Sequence, residues 1–439
     1  MSSDSRKIAA GELFIPLKGP HFDGHEFIAE ALKRGASGSL LEPEHETLDV
    51  RFPDGFLIRV KDTLQALGDL AHFWRKRHAI PIAAITGSNG KTTTKEMASR
   101  VFAKRFRVLK NEGNLNNRIG LPLSLLKLSA EHEVAVLEMG MNAPGEIRQL
   151  KAIADPQVSL ITNIGQAHLE FLGTLEGVAR AKGELWEVLG KEDWIAVNAD
   201  DEWVMKLADS ARCRKRTFGM INPAEIQGTD IRLVAEKGTG FRLLTANQKR
   251  EVNLSVFGRH NVYNALAAAA LGSILGLDLD EIASGLEEFE PVYGRGKPIL
   301  LPGDIHLLDD SYNSNPDSLK ATLSAFAEMK GNRRGIAVLG DMLEIGAIAK
   351  EAHEQAGRWV GGNHFAHLFV LGNAGLHVAN GARESGMPAQ KIHRAEDSGE
   401  LLEAVAKALR EGDWILIKGS RRMQMERIVE GLKKRFEKV

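Results

Sequence analysis

The run Thr86-Gly-Ser-Asn-Gly-Lys-Thr-Thr-Thr94 combines the residue types that hold a polyphosphate. It lies between the apolar stretch IPIAAI and the helix-forming stretch KTTTKEMASRVFA. A glycine-rich turn between a strand and a helix aims backbone N–H groups and the positive end of the helix dipole at an anion. The lysine that follows bridges phosphate oxygens, and the next hydroxyl reaches a bound Mg²⁺. Thr86, Gly87, Ser88, Asn89, Gly90, Lys91, Thr92 and Thr93 are therefore the candidate ATP contacts, with Lys91 on phosphate and Thr92 on the cation. Ile85 stands where the usual pattern has its first glycine, so the loop is a shortened variant. The plain alternative, a glycine turn that only caps a helix, fits the strand-loop-helix context less well.

Two further side chains fall where an open parallel sheet binds its ligands, beyond the C-terminal ends of strands. Glu138 ends the apolar segment EVAVLEMG, and His168 follows the next such segment in TNIGQAHLE. A carboxylate at that edge can hold a hard cation. Taken singly, a strand-end Glu is as often a solvated surface group, and a lone His is usually structural. Lys182, in ARAKGELW, reads by itself as a solvated helix lysine. Gly294-Arg295-Gly296 is not a dinucleotide fingerprint, because Ile299 occupies the last glycine position and no helical sequence follows.

The elements that must position these groups follow from composition and periodicity. A chain of 439 residues with 43% hydrophobic content is long enough for about three domains, each with its own core. Lys plus Arg total 57 against 58 Asp plus Glu, a net charge of −1, so no basic field exists to hold nucleic acid. The single cysteine, Cys213, and a start without an apolar signal core point to the cytoplasm. The longest apolar run, ALAAAAL at residues 265–271, is far shorter than the ~20 residues that span a bilayer. No stable membrane insertion is expected.

Residues 1–80 hold short apolar runs at 12–17, 38–41 and 56–60, separated by Gly and Pro, which predict a small α/β domain. Residues 81–293 alternate strand-like and helix-like segments, with a helix expected from Gly90, another after Pro144, one over 175–189 and one over 261–275. Short alternating segments at 226–257 interrupt that rhythm and predict an antiparallel insertion. Residues 294–439 alternate again, with strands at IHLLDD, GIAVLG, HLFVLG and DWILIKG. The fold class is therefore α/β in three domains: a small N-terminal domain, a central parallel-sheet ATPase domain and a C-terminal Rossmann-like domain.

TGSNGKTTT, NEGNLNN, EMGMN, TNIGQAHLE, AKGE, GRHNVYNALAA, DDSYNSNP and KGSR occur here in the order seen in the Mur ligases, and over nearly the whole chain the sequence resembles that family. DSRKI, DGHEF, GDMLEIG and KGSR resemble its branch that adds D-alanyl-D-alanine to UDP-N-acetylmuramoyl-tripeptide, and the Asp-Asn-Pro-Arg motif of the diaminopimelate-adding branch is absent. DSRKI stands already at Asp4, earlier than in the family, so either an abbreviated first domain or a misplaced start is expected. The resemblance implies an ATP-dependent carboxylate-amine ligase whose three domains bind the UDP end of the sugar peptide, ATP, and the incoming dipeptide. It implies that Glu138 and His168 hold Mg²⁺ with Thr92, and that Lys182 is carbamylated and joins them as a ligand. A carbamate turns an amine into an oxygen donor fit for such a cation.

By the same resemblance Asn261 and Asn264 contact adenosine, Arg295 and Asp310 close over ATP, and Lys91, Lys182, His168 and Arg295 carry the catalysis. Substrate contacts are implied at Ser5, Arg6, Asp23, His25, Asn114, Asn116 and Asn117, and at Tyr312, Asn313, Lys418, Ser420 and Arg421. Because Arg295 lies across a presumed hinge from Lys91, a gap between them is expected when no ligand is bound. The competing readings are another amide ligase of the superfamily and, from a different class, a P-loop switch or transport ATPase.

Overall fold

The computed structural model describes residues 1–19, 22–45, 55–234 and 238–437. They form two compact bodies, one of Met1–Ala84, Phe106–Met141 and Gly145–Val158, the other of Ile85–Arg105, Asn142–Pro144 and Ser159–Val439.

In the first body, β1 (Leu13–Phe14), β2 (Gly38–Leu41) and β3 (Phe56–Arg59) pair in parallel. Phe14, Ile28, Ala31, Leu32 and Leu41 make a core beside them. β4 (Ile82–Thr86) is buried along its whole length, which is why it reads as an unbroken apolar run rather than an alternation. β5 (Val108–Lys110) pairs in parallel with β6 (Val134–Glu138), and the fully buried β6 delivers Glu138 at its C-terminal end.

In the second body, β7 (Val158–Ile161) leads to the TNIGQAH loop. β8 (Trp194–Asn198), β9 (Arg214–Gly219) and β10 (Ile226–Val234) pair in parallel, and β10 continues antiparallel into β11 (Gly238–Leu244) and β12 (Lys249–Leu254). The irregular segment at 226–257 is thus an antiparallel extension, bulged between Thr229 and Arg232. The sequence reading missed β8 and β9. The helix expected over 175–189 ends at Gly183 and is followed by a single 3₁₀ turn, Glu184–Trp186. The apolar run at 265–271 lies within the helix Arg259–Ile274, and all seven of its residues are buried.

A separate six-stranded sheet occupies the C-terminal part, in the order β13 (Lys297–Leu301), β14 (Ile305–Asp310), β18 (Trp414–Lys418), β15 (Gly335–Gly340), β16 (His367–Leu371), β17 (Ile392–Ala395). All neighbours are parallel except β13, which forms an antiparallel edge. Strand alternation feeds two cores: Ala337 and Leu339 of β15 pack on one face with Leu416, and Ile336 and Val338 pack on the other with Ile415 and Ile417. Each such side chain contributes about 1.5–3 kcal/mol by leaving water, which fixes the sheet and hence the loops at its C-terminal edge. Among the described residues no helix is long and apolar enough to cross a membrane.

Candidate active site

Thr86 ends β4, and the phosphate loop turns on two glycines. Gly87 has φ +146, and a Cβ there would lie 1.9 Å from Thr162 Oγ1; Gly90 has φ +81, and a Cβ would lie 2.1 Å from Asn264 Oδ1. Neither position admits a side chain. The loop is then tied to the segment after β7. Ser88 N donates to Asn163 O (2.9 Å), and Asn89 N donates to Asn163 Oδ1 (2.9 Å). Thr162 Oγ1 (2.6 Å) and Asn163 Nδ2 (3.0 Å) donate to Asn89 O. Gly90 caps the helix Lys91–Phe102, so the N–H groups of Lys91, Thr92 and Thr93 open that helix, where backbone donors have no intrahelical acceptor. Lys91 Nζ donates to Gly87 O (2.8 Å) and Ser88 O (3.2 Å).

Asn261 and Asn264 brace the helix Arg259–Ile274 against this start. Asn264 Nδ2 donates to Asn261 Oδ1 (3.0 Å), Thr94 Oγ1 donates to Asn264 Oδ1 (3.3 Å), and Asn261 Nδ2 donates to Phe257 O (2.8 Å). Loops from β14, β15 and β18 complete the surroundings. Lys418 Nζ, almost fully buried, donates to Asp310 Oδ2 (2.6 Å) and Asn313 O (2.9 Å), and Thr322 Oγ1 donates to the same Asp310 oxygen (2.7 Å). The Arg295 guanidinium lies 3.9 Å from the centre of the Tyr312 ring.

These groups enclose a cavity of about 440 Å³ whose wall runs from Ser88 through Thr93 to His168, Asn261, Asn264, Arg295, Asp310 and Lys418. Arg295 and Lys91 both line this cavity, and Asn315 Nδ2 donates to Asn89 Oδ1 (2.8 Å) on the phosphate loop while Gln166 N, on the segment after β7, donates to Asp317 Oδ2 (2.7 Å). A second cavity of about 180 Å³ is lined by Tyr312, Asn313, Glu344, Ser420 and Arg421, and Ala167, His168, Asn313, Ser314 and Asn315 belong to both walls. Lys418, an expected substrate contact, lines the larger cavity.

The electrostatics are set by burial. Lys182, in the last turn of the helix Leu175–Gly183, is 1% exposed. Burial first, and the Lys91 ammonium second, hold its pKa well below the ordinary lysine range. No acidic side chain among the described residues pairs with it. His168 is pushed down to about 4 by burial and then by Lys182 and Lys91, so its ring is neutral at pH 7. His260, half-buried on the larger cavity, is likewise pushed down to about 4 by desolvation, against the pull of Asp310. Sequence reading passed over His260 and Glu344, although both lie inside motifs it quoted.

In the first body, Glu138 N donates to Asn111 Oδ1 (2.9 Å), and its Oε1 accepts from Asn116 Nδ2 (2.8 Å). Glu138 Oε2 is buried with no hydrogen-bond partner, the state of a carboxylate oxygen whose ligand is a cation. Asn117 Oδ1 accepts from Ile119 N (3.1 Å) and Gly120 N (2.9 Å), and Asn114 is exposed. Ser5 is buried, whereas Arg6 is exposed and paired with Asp4 at 2.9 Å. His25 Nδ1 donates to Asp23 Oδ1 (2.7 Å) and its Nε2 accepts from Glu42 N (3.3 Å). Both ring nitrogens are thereby engaged, so this Asp23–His25–His45 group offers no free imidazole lone pair from His25 to a metal.

Residues 1–75 match the Mur ligase family catalytic domain, 85–272 the Mur ligase middle domain, and 294–421 the Mur ligase glutamate ligase domain. The chain is 36% identical to the UDP-N-acetylmuramoyl-tripeptide–D-alanyl-D-alanine ligase of Bacillus subtilis, covering 98% of this chain and 92% of that one. Among solved structures it is similar to MurF from Acinetobacter baumannii, with 31% identity, a TM-score of 0.88 and coverage of 98% and 92%. It is also similar to MurF ligase from Thermotoga maritima in complex with ADP, with 28% identity, a TM-score of 0.87 and coverage of 100% and 97%.

The neutral burial of His260 has a measurable sign. A histidine whose pKa is depressed in the fold stabilises the protein fully above its unfolded value near 6.5, and the contribution is lost as pH falls toward about 4. Urea denaturation at pH 7 and pH 5 should therefore show the wild type losing about 2 kcal/mol more than His260→Gln over that interval. Equal losses in the two proteins would contradict the assigned burial.

Proposed function

Because the chain belongs to the Mur ligase family, we propose that it joins D-alanyl-D-alanine to UDP-N-acetylmuramoyl-tripeptide, with cleavage of ATP to ADP and phosphate, giving the pentapeptide precursor of peptidoglycan. The observation that carries this reading is the pair of cavities with a common wall at His168 and Asn313, one built for a triphosphate and one for a small polar ligand.

A carboxylate does not condense with an amine at neutral pH because its oxygen is a poor leaving group. In the proposed reaction the tripeptide carboxylate attacks the γ-phosphorus of ATP and ADP departs, leaving an acyl phosphate. The amine of the dipeptide then attacks the acyl carbonyl, phosphate leaves, and the nitrogen loses a proton. Lys91, the N–H groups at the start of its helix and Arg295 balance the charge of the transferring group. Their rigid attachment through Asn163 and Asn315 lets them do so without reorganising. Asn261 and Asn264, in the wall of the larger cavity, would contact the adenosine half of the nucleotide in this reading. Asp310 fixes Lys418 at the cavity floor, and Tyr312, Ser420 and Arg421 line the dipeptide cavity, where Arg421 suits a carboxylate.

Mg²⁺ would supply further charge neutralisation on the phosphates and on the developing oxyanion. Thr92, His168 and Lys182 fit as its contacts in the second body, and the orphaned Glu138 Oε2 is the carboxylate the family pattern adds. Lys182 fits only once converted: a buried amine beside Lys91 is uncharged, hence nucleophilic toward CO₂, and the resulting carbamate is an oxygen ligand. Ser5, Arg6, Asp23, His25, Asn114, Asn116 and Asn117 belong to the sugar-peptide side in this reading. Residues 1–80, 81–293 and 294–439 are then the sugar-peptide, ATP and dipeptide modules. The cytoplasm, where nucleotide-linked substrates and ATP coexist, is the compartment that fits.

Mass spectrometry of the products from UDP-N-acetylmuramoyl-tripeptide, ATP and D-alanyl-D-alanine should show the pentapeptide and one ADP per amide formed; ATP turnover that is independent of both acceptors would refute the reading. Lys91→Ala should remove ligation while leaving the fold intact, and retention of more than about a tenth of wild-type kcat, a loss below ~1.4 kcal/mol, would remove Lys91 from the mechanism. Lys182→Ala should be inactive and partly rescued by short-chain carboxylic acids that occupy the vacated ligand position. A fully active variant would show the carbamate to be unnecessary.

A further inference from the structure

His168 and Glu344 come from different modules and meet at the wall between the two cavities. His168 Nδ1 and Glu344 Oε2 are 2.9 Å apart, with side chains 22% and 40% exposed. An ionised carboxylate only accepts, so the ring must carry its proton on Nδ1, and a neutral imidazole held that way leaves Nε2 as a bare lone pair. Both residues also sit in the left-handed region that side chains avoid, His168 at φ +56 and Glu344 at φ +62. Two such residues persisting in contact require the surrounding backbone to impose them. The imposing contacts are visible: Glu170 N donates to Glu344 O (3.2 Å), and a Cβ on Gly346, at φ +59, would lie 3.2 Å from the Glu170 backbone. The GDMLEIG loop is thus clamped along the segment that carries His168.

We propose that Glu344 is a positioning residue for His168: it accepts a hydrogen bond from Nδ1–H, fixes the ring plane and presents the Nε2 lone pair for ligation. Metal-bound histidines commonly donate their other ring N–H to a carboxylate, which fixes the tautomer and makes the ligand more basic. Glu344 lines only the smaller cavity, whereas His168 lines both. The loop that frames the acceptor cavity therefore also sets the protonation state of a nucleotide-site ligand. This rests on the metal-ligand reading of His168 given above.

The direct readout is the ring tautomer, seen by long-range ¹H–¹⁵N correlation on histidine-labelled protein, with the His168 signals identified by their loss in His168→Asn. Wild type should show the Nδ1–H form. Glu344→Ala should shift the population toward Nε2–H, and Glu344→Gln, whose amide oxygen still accepts, should restore Nδ1–H. In the presence of ADP, Mn²⁺ measured by electron paramagnetic resonance should bind Glu344→Ala at least tenfold more weakly than wild type or Glu344→Gln. kcat should fall in Glu344→Ala with little change in KM for the dipeptide. An unchanged tautomer in Glu344→Ala would overturn the proposal, as would a raised dipeptide KM with unaltered tautomer and Mn²⁺ affinity, which would assign Glu344 to acceptor binding. Failure of the underlying metal reading is separately visible: Mn²⁺ would then leave the wild-type His168 resonances unbroadened.

Discussion

The site is organised by a buried lysine beside another lysine. Lys182 sits in the protein interior with Lys91 as the nearest named charge, at the same place where a helix N-terminus presents its unpaired donors. Burial beside Lys91 disfavours the charged form of Lys182, and in the proposed reaction its neutral amine takes up CO₂ while Lys91 and the helix start receive the phosphates. Lys418 marks the contrast. It is equally buried but is paired with Asp310, so its charge is accounted for within the protein and it serves as a structural pin. The neutrality of His168 has the same origin: burial first, and then its proximity to Lys182 and Lys91, disfavours a charged ring.

Such a site works only if it is held rigid, because dipoles that must reorient during charge transfer lose much of their effect. The phosphate loop is fixed largely by side chains of its neighbours bonding to its backbone, with Thr162 and Asn163 both on the Asn89 carbonyl. Asn315 serves two structures at once. Its Oδ1 accepts from Ser318 N and caps the helix Pro316–Lys330, while its Nδ2 bonds to Asn89. One amide thereby couples the start of a C-terminal helix to the nucleotide loop.

What the sequence discloses about this arrangement depends on how local the chemistry is. The phosphate loop is legible because its glycines, lysine and hydroxyls are adjacent in the chain and their spacing is their geometry. Lys182 is not: its role depends on burial by elements distant in sequence, and only the order of motifs across the chain marks it out. Contacts such as His168 with Glu344, 176 residues apart, leave no trace in periodicity. The bonds that join residues 89 to 315 and 166 to 317 are equally invisible to periodicity. β9, β13 and β17 escaped because exposed or polar residues break up their apolar runs, whereas β8, as apolar as β18, was overlooked. β14, β15 and β18, with few exposed residues, were read directly from their hydrophobic runs.

The common wall of the two cavities constrains how the reaction can proceed. An acyl phosphate is hydrolysed if water reaches it before the amine does, so the amine must already be poised where the activated carbonyl forms. A wall shared through Ala167, His168, Asn313, Ser314 and Asn315 would provide such a boundary in the proposed reaction, between the phosphates and the acceptor. Lys418 ties the two sides mechanically, bonding Asp310 in the nucleotide cavity and the carbonyl of Asn313 in the wall. Ser420 extends the link, accepting from Leu343 N (2.8 Å) and donating to Ser314 O (3.3 Å). The C-terminal sheet therefore does more than carry an acceptor pocket. Its loops after β14, β15 and β18 form the partition itself, so a change that loosens them should uncouple ATP cleavage from amide formation before it weakens nucleotide binding.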